Sequence, residues 1–198
     1  MTRRKDDAGT AEADVARKAA RRRSLGFLAR FLGLLVVFYL AVAARPVNDA
    51  VIVPFTAGIA RVSGAMLNVL GEAVTVAGTE IRSPSFAVNI ENGCNGVETA
   101  LLFGSAVLAF PAPWKRRLLG LALGFAAIQA VNLVRVISLF WIGAHRPSLF
   151  SASHTVLWQS AVVLCGVLLF LLWASRIERR PAAVAEKAGR HGPKKEGR

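Results

Sequence analysis

Apolar residues in this chain come in long unbroken blocks, not in the short alternations that mark half-buried elements of a soluble domain. Four such runs stand out, at about Leu25–Ala44, Val97–Pro113, Leu118–Gly143 and Thr155–Ala174. A spanning helix needs roughly 20 mostly apolar residues. The pattern therefore predicts an all-α integral membrane protein with about four transmembrane helices. Between the first two runs the pattern changes. Phe55, Ile59, Val62, Met66 and Val69 form an apolar stripe at helical spacing, while Gly58, Arg61, Gly64 and Asn68 lie elsewhere on the same turns. This predicts a short amphipathic helix that rests on the membrane surface or covers the bundle. After Glu72 the period shortens: Val74 and Val76 alternate with small residues, Gly78 and Ser83-Pro84-Ser85 punctuate, and Phe86, Val88 and Ile90 alternate again. A small β-hairpin is expected there.

Charge orients the bundle. The 54% apolar composition sits beside a formal net charge of +13, but the cations lie mostly in tails and one turn. Arg3 to Arg23 and Arg176 to Arg198 flank the apolar part, and Lys115-Arg116-Arg117 separates the second and third runs. Such clusters gather at cytoplasmic ends of membrane helices, where anionic lipid headgroups attract them. No nucleic-acid partner is expected; membrane lipids are. The orientation that puts every cluster inside leaves residues 45–93 and the loop 144–153 outside, so the amphipathic helix and the hairpin are extracytoplasmic. Counting 51–70 as a span would expose Lys115-Arg116-Arg117 on the outer face. The first run also fits a secretory signal ending at Ala41-Val42-Ala43, so its retention or cleavage stays open. Domain organisation is then 1–24, a basic disordered cytoplasmic tail; 25–175, the transmembrane domain; and 176–198, a second basic disordered tail.

Candidate chemistry gathers on the outer face. Asn92-Gly93-Cys94-Asn95-Gly96 is a turn sequence leading into the second apolar run. A Cys at a helix N-terminus gains thiolate character from the helix dipole, and the thiolate is the nucleophile. Arg135 interrupts the third run, and an intramembrane Arg faces a cavity or a partner in most cases. Gln129, Asn132 and Arg135 recur every three residues and form a polar seam. His154 opens the fourth run, where a neutral imidazole can exchange protons with a thiol. His145, in the same loop, is the weaker candidate. Asn92, Asn95, Glu98 and Asn132 are supporting candidates; Glu98 reads equally as an orienting group for Arg135 and as a first-turn acid that complements the helix dipole. Arg30 reads as a snorkelling residue and Cys165 as packing. Motifs for zinc, paired redox cysteines and phosphate loops are absent from the sequence, so no metal or cofactor is expected.

With those residues in place, the chain closely resembles the exosortase/archaeosortase family of multi-pass membrane cysteine transpeptidases. The resemblance runs from about Leu25 to Ala174 and rests on NGCNGVE around Cys94, FPAPWKRRLLGL at the basic turn, NLVRVISLFWIG around Arg135 and SHTVLWQ around His154. It looks most like the exosortase H branch. The resemblance implies Cys94 as nucleophile, His154 as general acid/base and Arg135 as the oxyanion or substrate stabiliser. It further implies, as partners, secreted proteins with a C-terminal sorting signal of motif, transmembrane helix and basic tail. For the H branch the implied motif is of the Ile-Pro-Thr-Leu-x-x-Trp-Gly type. The implied location is the bacterial inner membrane, with the active site facing the periplasm or outside. Against this stand two other readings: a non-enzymatic channel or transporter component using Arg135 for an ion path, and a disulfide oxidoreductase, for which Cys165 lies too deep to reach Cys94.

Overall fold

In the computed structural model, which describes the backbone of residues 3–190 and the side chains of residues 14–177, the apolar blocks are helices. α1 (Arg3–Ala43) leads into a short α2 (Arg45–Val47), a π-helical turn (Asn48–Ile52) and α3 (Val53–Val69). A three-stranded meander follows, β1 (Thr75–Ala77), β2 (Glu80–Arg82) and β3 (Ala87–Asn89). Then come α4 (Val97–Ala109), α5 (Trp114–His145), α6 (Pro147–Ala152), a second π-helical turn (Ser153–Trp158) and α7 (Gln159–Arg190). α4 packs against α1, α5 and α7 and is the centre of the bundle. Leu28, Leu32, Val36 and Leu40 on α1, Leu119 and Leu123 on α5, and Leu164, Leu168 and Leu171 on α7 are all exposed. These surfaces suit lipid, and the chain is a multi-pass membrane protein.

Four helices are long and apolar enough to cross a membrane, as expected, and three of them carry the first, third and fourth runs read from sequence. They are Asp14–Ala43, Arg45–Val69, Trp114–His145 and Pro147–Ile177. One correction follows. The second expected span is a helix of only 13 residues, Val97–Ala109, because Phe110 turns extended and Pro111 and Pro113 carry the chain to the basic turn in non-helical form. The expected short helix is the end of a longer apolar one, and of its two expected placements it takes the one over the bundle. Its course shows how it fits: Phe55 packs on Phe125 at 5.9 Å, while Leu67 and Leu70 line a pocket with Val134, Ile137, Trp141 and Ile142. α3 thus climbs alongside α5 from its middle toward its C-terminal end, and it covers the bundle without returning to the basic side.

The buried face of α3 also differs from the expected stripe. Val62, Met66 and Val69 are exposed, whereas Thr56, Ile59, Ala60, Ser63, Gly64 and Leu67 are buried. Small residues let α3 approach closely: a Cβ on Gly64 would collide with Val76 of β1. Close approach through small side chains, more than apolar contrast, selects the packed face of a membrane helix. The expected hairpin has gained a strand. β2 pairs antiparallel with both neighbours, with Ile81 opposite Val76 and Val88. Ile81 is fully buried with Leu67, Val74, Ile90, Val136 and Phe140 in the core that joins the sheet to α3 and α5.

Helical backbone continues from the first and last spans into both tails, as Arg3–Ala43 and Gln159–Arg190. Residues 1–2 and 191–198 of the tails expected to be disordered lie outside the described residues. Ala, Arg, Lys and Glu are strong helix formers, and an apolar span next to them supplies the nucleus.

Candidate active site

The Asn92–Gly96 turn is built by its glycines and amides. Gly93 and Gly96 hold φ of +91° and +74°, the left-handed region open to glycine. Cys94 N–H donates to Glu91 O at 3.0 Å, closing the turn. Asn95 is 1% exposed; its Nδ2 donates to Thr56 Oγ1 at 3.0 Å and to Asn92 Oδ1 at 3.4 Å, and its Oδ1 accepts from Val97 N at 3.1 Å. Asn92 Nδ2 in turn donates to Asn48 Oδ1 at 2.9 Å. Two supporting candidates are therefore braces that tie the turn to α3 and to the π-helical turn before it. Asn48 and Thr56 gave no signal in the sequence, since a polar residue ahead of a helix and a Thr within one are ordinary features.

The turn delivers Cys94 between α5 and the chain entering α7. Cys94 Sγ lies 3.0 Å from His154 Nε2. Arg135 Nη2 lies 3.5 Å from the same sulfur and donates to Gln159 Oε1 at 3.2 Å; Arg135 Nη1 donates to Gly93 O at 3.4 Å. Arg135 is 2% exposed, and its Nε–H has no partner among the described residues. It follows Lys115 by about 20 positions, so at about 1.5 Å per residue it sits roughly 30 Å along α5, one hydrocarbon thickness from the basic turn. α5 then runs on to His145. The site therefore lies far along α5 from the Lys115–Arg117 cluster.

His154 belongs to the π-helical turn Ser153–Trp158, a local widening that recurs at functional sites. Its ring stacks on Phe150 at 5.8 Å with 4° between planes. Phe150 meets Phe86, and Phe86 meets Phe140 of α5 at 5.5 Å. Gly143 leaves room for Phe86, since a Cβ there would collide with its ring. Phe86, Phe140 and Gln159 fall in stretches read from the sequence, but nothing there joins the aromatic row or places Gln159 against Arg135. Gln159 had a usable signal, a polar residue near the start of an apolar run and inside the same motif as His154.

Burial pushes the Cys94 thiol above its ordinary range; Arg135 opposes that shift, and Glu98 and Glu91 add to it. The shift runs against the thiolate character expected from the helix terminus. Removing the sulfur from water disfavours the charged form more than the helix terminus and one guanidinium favour it. His154 Nε2 lies within proton-transfer distance of that thiol.

The rest of the expected constellation divides. Glu98 faces the turn: a Cβ on Gly93 would lie 3.7 Å from both of its carboxylate oxygens. Asn132 is fully buried but does not reach Cys94; with Gln129 it abuts Gly96, and the amide atoms of both are without partners among the described residues. His145 is elsewhere, with Nδ1 at 3.1 Å from Trp141 O and Nε2 at 3.6 Å from Glu72 Oε1. Cys165 lies eleven positions after His154, roughly 16 Å along the helix, and both cysteines are free.

A search of curated proteins and one of solved structures return no match. The family model described as transmembrane exosortase matches residues 18–174. That span takes in Cys94, Arg135 and His154 and most of the chain, and by it the chain belongs to the transmembrane exosortase family.

Proposed function

We propose that this protein is a membrane cysteine peptidase and transpeptidase that cleaves C-terminal sorting signals of secreted proteins at the extracytoplasmic face of the bacterial inner membrane. The observation that carries the reading is the convergence on one sulfur: His154 Nε2 at 3.0 Å and Arg135 Nη2 at 3.5 Å. Family membership supports the substrate class, and the motifs around Cys94, Arg135 and His154 support the H branch with its own type of signal. The placement of Lys115-Arg116-Arg117 one bilayer away supports the orientation.

In this mechanism His154 Nε2 takes the thiol proton as Cys94 Sγ attacks the scissile carbonyl, and it returns that proton to the leaving amine. The neutral imidazole must then carry its hydrogen on Nδ1. Arg135 stabilises the oxyanion. Its Nη2 already borders the sulfur, and its unpartnered Nε–H is a further buried donor for charge that develops there. A thioester on Cys94 results, which water or an amine resolves. The channel reading finds less support, because the Arg135 guanidinium is buried and held by Gly93 O, Gln159 and Cys94. The test is conversion of a tagged sorting-signal substrate in membranes. Wild type converts it, while Cys94→Ala, inserted to the same level, does not.

A further inference from the structure

Beside the Cys94 turn lies a cavity of about 370 Å³ lined by Asn48, Val53, Thr56, Thr79, Ile90, Glu91 and Asn92. Its hydrogen-bonding character follows from where the donors of its lining go. Thr56 Oγ1 donates to Ile52 O, and Thr79 Oγ1 donates to Asn89 Oδ1. Asn48 Nδ2 donates to Asp49 Oδ1, and Asn92 Nδ2 donates to Asn48 Oδ1. Both hydroxyls have thus used their only hydrogen, and each amide nitrogen has committed one of its two. The oxygens keep free lone pairs. Glu91 adds a carboxylate that forms no ion pair among the described residues. The lining is therefore rich in acceptors, with one full negative charge.

Such a surface takes a positively charged donor. A lone carboxylate is too few for a divalent metal, and the described residues hold no group of three or more His, Cys, Asp or Glu that could bind one. A primary ammonium fits better, with three hydrogens to share among the carboxylate and neutral oxygens. The cavity is close to the chemistry. Glu91 O accepts from Cys94 N at 3.0 Å, and a four-residue turn closed in this way brings its end Cα atoms within about 7 Å. Glu91 also contributes to the rise of the Cys94 thiol, so its charge is felt at the sulfur.

We propose that this cavity is the acceptor site, and that it collects a primary ammonium group for transfer to the Cys94 thioester. The inference rests on the enzymatic reading above and adds the place where the amine is bound. In the step, the ammonium releases one proton to solvent and becomes the free amine. Its nitrogen forms a C–N bond to the acyl carbon and the thioester C–S bond breaks. His154 carries the second proton from that nitrogen to Sγ, leaving an amide and the neutral thiol. The same chemistry can come from a peptide amine or from an ethanolamine lipid headgroup.

The experiment uses the full chain in nanodiscs with a tagged sorting-signal substrate. Soluble triglycine or phosphatidylethanolamine in the disc serves as the amine, and hydroxylamine, uncharged at neutral pH, as a reference nucleophile. The ratio of amide product to hydrolysis product should rise with one of the two amines, which identifies the source. Glu91→Gln should lower that ratio about tenfold while changing the hydroxylamine ratio less than twofold. An equal fall for charged and uncharged nucleophiles, or no fall for either, would overturn the proposal. A second measurement does not depend on turnover: binding of dansylcadaverine, a fluorescent primary ammonium, against its N-acetylated neutral form. Glu91→Gln, or Thr79→Phe filling the cavity, should weaken the first about tenfold and not the second. Unchanged binding would refute the site. Wild type that gives no hydroxamate with hydroxylamine refutes the enzymatic reading, and binding still decides whether the ammonium site exists.

Discussion

Cys94 and His154, sixty positions apart in the chain, bring Sγ and Nε2 to 3.0 Å, and they do so where burial holds the thiol protonated. An ordinary cysteine titrates near 8.5. Here the thiolate fraction at neutral pH is smaller, so alkylation of Cys94 by iodoacetamide should rise with pH through a midpoint above that of an exposed cysteine. Arg135→Gln removes the contribution that lowers the value, and should move the midpoint further up. Glu98→Gln removes one that raises it, and should move the midpoint down. A midpoint well below the ordinary value in wild type would mean that the site holds a resting thiolate.

Replacing Arg135 by Lys keeps a positive charge and loses the fork. The guanidinium bonds Gly93 O and Gln159 Oε1 and borders the sulfur with separate nitrogens, which a single ammonium cannot reproduce. Loss of one oxyanion donor costs about 10²–10³ in kcat, and a fall of that order is expected for Arg135→Lys in substrate conversion at equal protein level. Activity within threefold of wild type would reduce Arg135 to a snorkelling residue.

Gly96→Ala should damage the turn. Its φ of +74° is costly for alanine, and the new Cβ would lie 3.0 Å from Gln129 Nε2 and 3.2 Å from Asn132 Cγ. The left-handed backbone alone costs roughly 1–2 kcal/mol. Gly58→Ala is the matched control, since nothing lies within 4 Å of its Cβ position. Thermal melting in detergent should fall for the first variant and not for the second, and equal melting would show that Gly96 is not a constrained position.

Legibility in the sequence follows from what each feature depends on. Membrane helices are visible because a bilayer demands long apolar runs, and Cys94, Arg135 and His154 are visible because each is chemically out of place in or beside such a run. The buried face of α3 is not the one its apolar stripe marks. Val62 and Met66 look like core residues in a soluble helix, but lipid accepts them, and Ser63 and Gly64 make the close contact. The length of α4 was missed because Phe110 to Pro113 is apolar enough to continue the run while its prolines end the helix. β2 went unread because Glu80 and Arg82 pair with each other on the exposed side and leave Ile81 as its one buried residue. Gln159, Phe86 and Phe150 act through contacts that no spacing rule connects.

The orientation has its own check. Reporter fusions after Lys115 should report the cytoplasm, and fusions near Ser83 and Arg146 should report the outside, because α3 climbs beside α5 and returns to no basic cluster. A cytoplasmic Ser83 would put Cys94 on the wrong face for secreted substrates.

The central claim is that Cys94 becomes covalently acylated by the sorting signal. The most direct measurement is mass spectrometry of protein quenched in acid during turnover of a sorting-signal peptide. A thioester should appear on the peptide containing Cys94, disappear with neutral hydroxylamine, persist in Cys165→Ala and be absent in Cys94→Ala. Conversion of the substrate by Cys94→Ala at the wild-type rate, with no adduct on Cys94 in wild type, would contradict the account.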